Sequence, residues 1–432
     1  MSEYIPILVL VLSFISLLAI GTPVAWSIAI SSLATMLVSI PIMPSLTTIA
    51  QRMATGLDSF ALLAIPFFVL SGQLMNKGGI AHRLIAFAKT LVGALPGGLA
   101  LINVIAAMLM GAIAGSAMAS ASAMGSILGP EMEKEGYSKE FGAAVNITSS
   151  TTGLIIPPSN VLIVYSLASG GVSIAALFLA GYIPGILTGL LLMIVAMIWA
   201  KKHKYKQGER SSFKQIGKTF IEALPSLLLL VVVIGGIVTG IFTATEASAI
   251  AVLYTLVLGM LYKEIKVKDL PQILLDSSAT TAIVMLLIAT SMGMSWVMSF
   301  ENIPQDISST LLGISDNKVV ILLIINLILL FVGIFMDMTP AVLIFTPIFL
   351  PIVTRLGLDP IHFGIIMVLN LCVGLCTPPV GSVLFVGVGI AKTTIEKVVR
   401  PLLPLFLAMI LALFLVTYFP QLSLWLPGLF EL

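Results

Sequence analysis

Two stretches of the sequence place a proline pair and several polar residues within apolar surroundings. Residues 146–160 read NITSSTTGLIIPPSN, and residues 370–381 read NLCVGLCTPPVG. Adjacent prolines lack backbone N–H groups and clash with the preceding turn, so a membrane helix breaks there and nearby carbonyl oxygens lose their helical partners. At membrane depth such carbonyls are tolerated where they line a polar cavity, and in transporters they commonly coordinate a cation. Both stretches therefore indicate a site for a hard cation such as Na+.

Oxygen atoms around the second proline pair are the first candidate ligands. Gly374, Thr377 and Val380 lie beside this pair, and Gly333 occupies an apolar segment upstream. Most of these oxygens belong to the backbone, and Thr377 adds a hydroxyl. In the first stretch, residues 149–152 read SSTT. The alternative explanation for such hydroxyl clusters is close packing of membrane helices through small residues.

Asp337 is the one carboxylate within an apolar segment that also contains turn-forming residues. A charge inside the membrane is by default a functional candidate, although a capping role for the following helix is the structural alternative. Glu246 instead follows Thr243 in a capping-box pattern, which favours a structural role. We predict that a transported substrate would be bound by five residues, namely Ser120, Ser122, Thr152, Asp337 and Thr339.

The other titratable residues do not suggest a catalytic or transition-metal site. The three histidines are scattered, and Cys372 and Cys376 lie four positions apart in one apolar segment, where we expect two small buried hydrophobic residues. An intramembrane enzyme would need a nucleophile with a base, or paired carboxylates, at membrane depth. We therefore expect no catalytic residue and no cofactor, with Na+ as a coupling ion.

Composition excludes a chain of soluble domains. The 432 residues are 59% hydrophobic and 9% charged, with a mean hydropathy of +1.16. These values are typical of an all-α polytopic membrane protein. The net charge of +2 gives no reason to expect a nucleic-acid partner. The N-terminus lacks the pattern of a cleaved signal peptide, so we expect it to be a retained first span.

A length of about 20 apolar residues per span predicts ten membrane helices. The predicted spans are 5–20, 22–43, 60–76, 141–168, 174–200, 222–242, 244–262, 278–298, 361–390 and 402–420. Two further apolar stretches, 97–130 and 319–353, are interrupted by small or turn-forming residues. We interpret both as re-entrant helical hairpins, and 141–168 and 361–390 as broken helices. Residues 77–96 and 301–318 suit interfacial helices, either as mobile arms or as connectors.

The basic residues are distributed unevenly over the predicted loops. Of the 21 Lys and Arg residues, 18 lie in 77–96, 131–140, 201–218, 263–268 and 392–400. The opposite side holds only Arg52, Lys318 and Arg355. Because basic loops stay in the cytoplasm, this distribution predicts a cytoplasmic 201–218 segment and places both termini outside.

The sequence also contains an internal repeat. The two proline pairs lie 221 positions apart, and Gly111 lies 222 positions before Gly333. Each half holds five spans and one hairpin, and an odd number of crossings inverts the second half. We therefore expect a first repeat over 1–200, a cytoplasmic linker over 201–218 and a second, inverted repeat over 219–432. The first hairpin should enter from the cytoplasm and the second from outside.

Five motifs taken together carry a family resemblance. In chain order they are GSA at 115–117, PPS at 157–159, TATEA at 243–247, FMDMTPA at 335–341 and TPPVG at 377–381. This combination, over essentially the whole chain, resembles the large membrane (M) subunit of a tripartite ATP-independent periplasmic, or TRAP, transporter. The resemblance implies a sodium-driven importer of small organic acid anions, such as sialic acid or C4-dicarboxylates, in the bacterial inner membrane. It also implies an elevator mechanism, in which hairpins and broken helices move against a scaffold.

The resemblance assigns sites and partners as well. The sodium sites of the family lie at the hairpins and broken helices, which implies Gly333, Gly374, Thr377, Val380 and, by pseudo-symmetry, Ser149, Gly153 and Ser116. The expected partners are a small four-helix membrane subunit (Q subunit) encoded separately, a periplasmic substrate-binding protein (P subunit) and the lipid bilayer. An ion channel or a stand-alone secondary transporter is the alternative function, and the specific acid stays open.

Overall fold

The computed structural model describes residues 5–208, 210–315 and 317–431. Among these residues the secondary structure is helical, without strands. Eight helical segments in this part of the chain are long and apolar enough to cross a membrane, namely Phe60–Lys77, Ile174–Lys202, Phe213–Val238, Ala244–Leu261, Val267–Phe300, Lys318–Phe335, Met338–Arg355 and Ile395–Tyr418. The prediction of an all-α polytopic membrane protein is confirmed.

The described residues of the first half form ten α-helices. They are α1 (Ile5–Ala19), α2 (Val24–Ser39), α3 (Ile42–Gly56), α4 (Ala64–Lys77), α5 (Ile80–Val92), α6 (Gly98–Ala114), α7 (Ala117–Lys134), α8 (Lys139–Thr152), α9 (Asn160–Ala168) and α10 (Ile174–Lys202). The second half forms ten more. They are α11 (Phe213–Val238), α12 (Ala244–Leu261), α13 (Leu270–Phe300), α14 (Ile303–Ile314), α15 (Lys318–Phe335), α16 (Met338–Arg355), α17 (Pro360–Leu375), α18 (Ser382–Ile390), α19 (Ile395–Tyr418) and α20 (Gln421–Leu429).

Part of the order of these helices repeats from one half to the other. Helices α7 and α16 both contain 18 residues, and their first residues lie 221 positions apart. The same separation relates the first residues of α8 and α17, and those of α10 and α19. Three helices of each half therefore recur at the offset that the proline pairs predicted.

Both proline pairs interrupt a helix as expected. Helix α8 ends at Thr152 and α9 begins at Asn160, whereas α17 ends at Leu375 and α18 begins at Ser382. The peptide bond within each proline pair is cis. Because neither proline offers an N–H, the α-helical ladder cannot continue through the pair. Each broken helix thus consists of two helical pieces joined by an irregular loop, as predicted.

Each half also contains a helical hairpin. Helices α6 and α7 are joined at Gly115 and Ser116, and α15 and α16 are joined at Met336 and Asp337. By length and composition alone, both α15 and α16 would qualify as spans. Their identification as one hairpin rests instead on the two-residue turn and on the contacts of the end of α15 with the break between α17 and α18.

The broken helices occupy the centre of the fold. All residues of α17 from His362 to Leu375 are buried, as are residues 143–152 of α8. Helix α7 packs against α18, and its repeat partner α16 packs against α9. Each hairpin therefore contacts the broken helix of the opposite half. The Cys372 thiol also donates a hydrogen bond to the Thr151 carbonyl oxygen at 3.3 Å.

Several predicted boundaries differ from the observed ones. Helix α2 ends at Ser39 rather than at 43, because Pro41 disfavours helical geometry in the residue before it. Helices α3 and α20 were not predicted, since neither is a long apolar run. Helix α11 begins at Phe213, inside the predicted 201–218 linker, where Ser212 and Gln215 form a capping box.

Candidate functional site

Thr377 closes the last turn before the second break through two hydrogen bonds. The Thr377 hydroxyl donates to the Val373 carbonyl at 2.8 Å, and the Thr377 N–H donates to the Gly374 carbonyl at 2.9 Å. Donation of its proton leaves the hydroxyl oxygen with lone pairs that a cation can use. Thr377 is half-buried, whereas most of α17 before it is fully buried. Its oxygen therefore lies at the edge of the core, where an ion can arrive.

The end of α15 contacts α17 at this break through one glycine of each helix. A Cβ atom on Gly374 would lie 2.6 Å from the Cα atom of Gly333 and 3.1 Å from its carbonyl oxygen. Any larger residue at position 374 would therefore separate α15 from α17. The Gly381 N–H also donates to the Ile334 carbonyl at 3.0 Å. These contacts hold the end of α15 against both sides of the break.

Two further carbonyl oxygens lie close to Gly381. It has a φ of +41°, and a Cβ atom there would lie 2.7 Å from the Leu375 carbonyl oxygen and 2.9 Å from that of Thr377. The residue four positions after Leu375 is Pro379, which has no N–H to satisfy the Leu375 carbonyl. The Leu375 oxygen was absent from the predicted ligands, although counting back four residues from the proline would have found it.

The structure thus brings most of the predicted second-half ligands together. Gly333 and Gly374 meet at one crossing, where the backbones of α15 and α17 are in contact, and Thr377 is joined to Gly374 by its N–H. Val380 lies in the same loop, between the proline pair and Gly381, and is half-buried. Carbonyl and hydroxyl oxygens are the ligand types that hard cations such as Na+ prefer.

The first break repeats the glycine contact. A Cβ atom on Gly111 would lie 2.5 Å from the Cα atom of Gly153. Gly111 belongs to α6, and Gly153 follows the last residue of α8, so the pair is the repeat equivalent of Gly333 and Gly374. At the adjacent turn, a Cβ atom on Gly115 would lie 2.6 Å from Nδ2 of Asn160. The first hairpin therefore touches both sides of its own break.

The hydroxyls of the first break are more deeply buried than Thr377. Ser149 and Thr152 are both fully buried. The Ser149 hydroxyl donates to Oδ1 of Asn103 at 3.1 Å, and the Thr152 hydroxyl donates to the Ser149 carbonyl at 2.6 Å. Many of these hydroxyls therefore form hydrogen bonds that stabilise the end of α8, as expected if the cluster serves helix packing. Asn103 was not among the predicted residues.

The serines of the first hairpin differ in environment. Ser116 caps α7, where its hydroxyl accepts from the Ala119 N–H at 3.3 Å. Ser120 is buried, and among the described residues its hydroxyl has no hydrogen-bond partner. Ser122 is exposed. Ser116 is thus close to the first break. Ser120 lies on a buried face of α7, and Ser122 lies on an exposed face of the same helix.

The two remaining substrate-side candidates lie at the start of α16. Asp337 occupies the N-cap position, is exposed, and makes no capping hydrogen bond through its side chain to any described residue. Thr339 follows two positions later and is half-buried. Beyond the Met338 N–H at the first position of α16, the capping alternative for Asp337 therefore has no supporting contact. By contrast, the predicted capping box of Glu246 is confirmed, because its carboxylate accepts from the Thr243 N–H at 2.8 Å.

A cavity of about 330 Å³ lies between α7, α8 and α18. Asn103 and Asn146 line it, and charged side chains from 131–140 and 390–392 lie around it, including Lys139 and Lys392. Asn146 donates from Nδ2 to the Ala121 carbonyl at 2.7 Å, while its Oδ1 has no partner within the described chain. The cavity therefore connects buried amide groups near the first break with the predicted cytoplasmic surface.

The two cysteines are free and buried, as predicted. Cys376 donates to the Ile147 carbonyl at 3.5 Å, so both thiols connect α17 with α8. They pack the two broken helices together and do not face the loop that holds the predicted cation ligands.

Comparisons with known proteins agree with this architecture. Residues 11–422 match the family described as tripartite ATP-independent periplasmic transporter, DctM component. The chain is 59% identical to the uncharacterized protein YgiK of Salmonella typhimurium over 99% of each chain. It is 38% identical to the C4-dicarboxylate TRAP transporter large permease protein DctM of Rhodobacter capsulatus, over 96% of this chain and 97% of that protein. The solved structure of the Alcanivorax borkumensis YdaH transporter shares the fold, with a TM-score of 0.65, 14% identity and coverage of 89% of this chain and 90% of that chain.

Proposed function

Because the chain belongs to the DctM component family of tripartite ATP-independent periplasmic (TRAP) transporters, we propose that it imports small organic acid anions in a sodium-coupled manner. It is a large permease subunit and a multi-pass protein of the bacterial inner membrane. The name of the Rhodobacter capsulatus relative supports a C4-dicarboxylate substrate. A sialic acid is the alternative within the same class of carboxylates.

The observation that carries the sodium proposal is the convergence of oxygens at the second break. Gly333 and Gly374 allow the hairpin to contact α17, and the Leu375 and Thr377 carbonyls face the adjacent Gly381. An ion that binds these oxygens together with the Gly333 carbonyl of α15 would bridge the hairpin and the broken helix. Sodium would thereby stabilise the closed arrangement of the hairpin around a substrate, which couples the two binding events.

The elevator component of the proposal rests on how the helices pack. The hairpins contact the broken helices of the opposite half, which makes α6–α9 and α15–α18 one packed group. We propose that this group carries the ion and the substrate across the membrane while the other helices serve as a scaffold. The cavity beside Asn103 and Asn146 would then be the cytoplasmic exit for the carboxylate.

A small membrane subunit and a periplasmic binding protein complete the proposed system. In this arrangement the binding protein selects the acid and delivers it to the periplasmic surface. The predicted outer surface of the chain carries few basic residues, so capture of an anion by a dedicated partner is physically reasonable. We expect no robust uptake by this chain alone.

Uptake by proteoliposomes tests the proposal. The chain is reconstituted with both partners, and accumulation of radiolabelled succinate or sialic acid is compared under inward gradients of Na+ or K+. We expect saturable uptake that requires Na+ and the binding protein. Equal uptake under both gradients would contradict sodium coupling, and a non-saturable flux would favour a channel. Uptake without the two partners would contradict the three-component arrangement.

A further inference from the structure

A second cavity, of about 670 Å³, lies at the predicted cytoplasmic surface, away from both breaks. Three separate parts of the chain form it, namely the start of α8, the end of α10 and the start of α19. Its lining residues include Lys202, His203, Lys397 and Arg400, together with Glu140 and Glu396. The three chain segments all belong to the basic regions that the charge distribution places in the cytoplasm.

The charges of this cavity favour an anionic ligand. Lys202, Lys397 and Arg400 form no ion pair within 4.0 Å in the part of the chain that the structure describes. With two carboxylates in the same lining, one positive charge remains in excess. The N-terminal ends of α8 and α19 add backbone N–H groups and partial positive charge, and the C-terminal end of α10 adds partial negative charge, so the three helix ends together contribute a net positive charge. A ligand with a single net negative charge therefore matches this site.

The surroundings of the cavity favour a lipid over a free anion. One helical turn deeper than Lys202, Ile198 is 62% exposed, and three positions after Arg400, Leu403 is 55% exposed. Each cation thus lies at the end of an exposed apolar helix face. Trp199, in the same lining, has the amphipathic character typical of residues at the level of lipid headgroups. Phosphate and acyl chains can therefore be accommodated by one continuous surface.

We propose that this cavity binds the headgroup of an anionic phospholipid. The phosphodiester lies against Lys397, Arg400 and Lys202, and the acyl chains follow the exposed faces of α10 and α19. Basic pockets between membrane helices on the cytoplasmic side are suited to such headgroups. Because α8 belongs to the first broken helix, the bound lipid would contact the helix group that carries the candidate ion ligands.

Native mass spectrometry of the detergent-purified full chain tests this proposal. Phosphatidylglycerol is titrated against the wild type and the Lys397→Gln/Arg400→Gln variant. Each cation near a lipid surface contributes roughly fivefold in affinity, so we expect binding to weaken about 30-fold. Lys201→Gln/Lys214→Gln is the matched control, because both residues are exposed, neither lines the cavity, and the change in charge is the same. The control should bind like the wild type.

Further arms distinguish lipid from other ligands. The charge-conserving variant Lys397→Arg/Arg400→Lys should retain phosphatidylglycerol, and size-exclusion chromatography establishes that each variant is folded. Equal affinity of wild type and the Gln variant would overturn the proposal. Equal binding of phosphatidylethanolamine would refute the requirement for a net negative headgroup. Displacement of the lipid by an equal concentration of inorganic phosphate would identify a free-anion site instead.

Discussion

Replacement of Thr377 by valine tests the proposed sodium site most directly. The substitution removes one hydroxyl oxygen and nearly preserves the shape of the side chain. In the structure this hydroxyl donates to the Val373 carbonyl at 2.8 Å, so the variant loses that hydrogen bond whether or not an ion binds. The loss of stability that follows from this hydrogen bond must therefore be measured separately from a loss of sodium affinity.

The two losses have different magnitudes and different readouts. A typical hydrogen bond contributes about 0.5–1.5 kcal/mol to stability, which should lower the melting temperature without altering ion affinity. Loss of one buried ligand oxygen should weaken sodium binding by about 1–3 kcal/mol. Since about 1.4 kcal/mol corresponds to tenfold, the half-saturating Na+ concentration should rise roughly 5- to 150-fold.

The assay measures initial uptake against Na+ concentration in proteoliposomes that contain both partners. Thr188→Val is the matched control, because the Thr188 hydroxyl also donates to the carbonyl four residues earlier at 2.8 Å, but in α10. Both variants should lose similar stability, and only Thr377→Val should need more Na+. An unchanged half-saturating Na+ concentration in well-folded Thr377→Val would remove Thr377 from the site.

Two further predictions concern topology and the glycine crossing. A cysteine introduced at Gln207, which is exposed in the basic segment after α10, should resist membrane-impermeant thiol reagents in intact cells and react after permeabilisation; labelling from outside would reverse the proposed orientation. Gly374→Ala would place its Cβ atom 2.6 Å from the Cα atom of Gly333, so we expect about 1–3 kcal/mol of destabilisation and a marked loss of sodium-dependent uptake. Gly389→Ala is the control, since no atom of the described residues outside its own helix neighbourhood lies within 4 Å of the new methyl group. Equal melting temperatures and equal uptake for the two variants would show that α15 and α17 can move apart at this crossing without loss of function.

The sequence predicted the breaks because their cause is local. A proline pair cannot continue a helix in any surroundings, so the ends of α8 and α17 follow from residues 157–158 and 378–379 alone. The repeat was also visible, because glycines and prolines at matched positions preserve the offset of 221. Helix boundaries between these markers depended on average hydropathy, which explains why the linker is shorter than predicted and why α7 continues to Lys134, past the predicted end of the hairpin at 130.

One helix and several tertiary contacts could not be predicted from hydropathy. Helix α3 contains Thr47, Gln51 and Arg52, so a search for apolar runs overlooks it although it is helical. Asn103 lies 46 residues before Ser149, and only tertiary packing brings the two side chains to 3.1 Å. The position of Gly381 beside the Leu375 and Thr377 carbonyls likewise depends on the path of the loop after the prolines.

The contact between Thr151 and Cys372 has a consequence for the symmetry of the molecule. These positions are equivalent in the two halves, since they lie 221 residues apart, and they are also direct neighbours. A residue meets its own counterpart only beside a two-fold axis, as in an isologous dimer interface. The two halves therefore associate as two protomers of a homodimer would, although one chain supplies both. Side chains beside this axis must be small, because a larger residue in one half would displace the equivalent position in the other half.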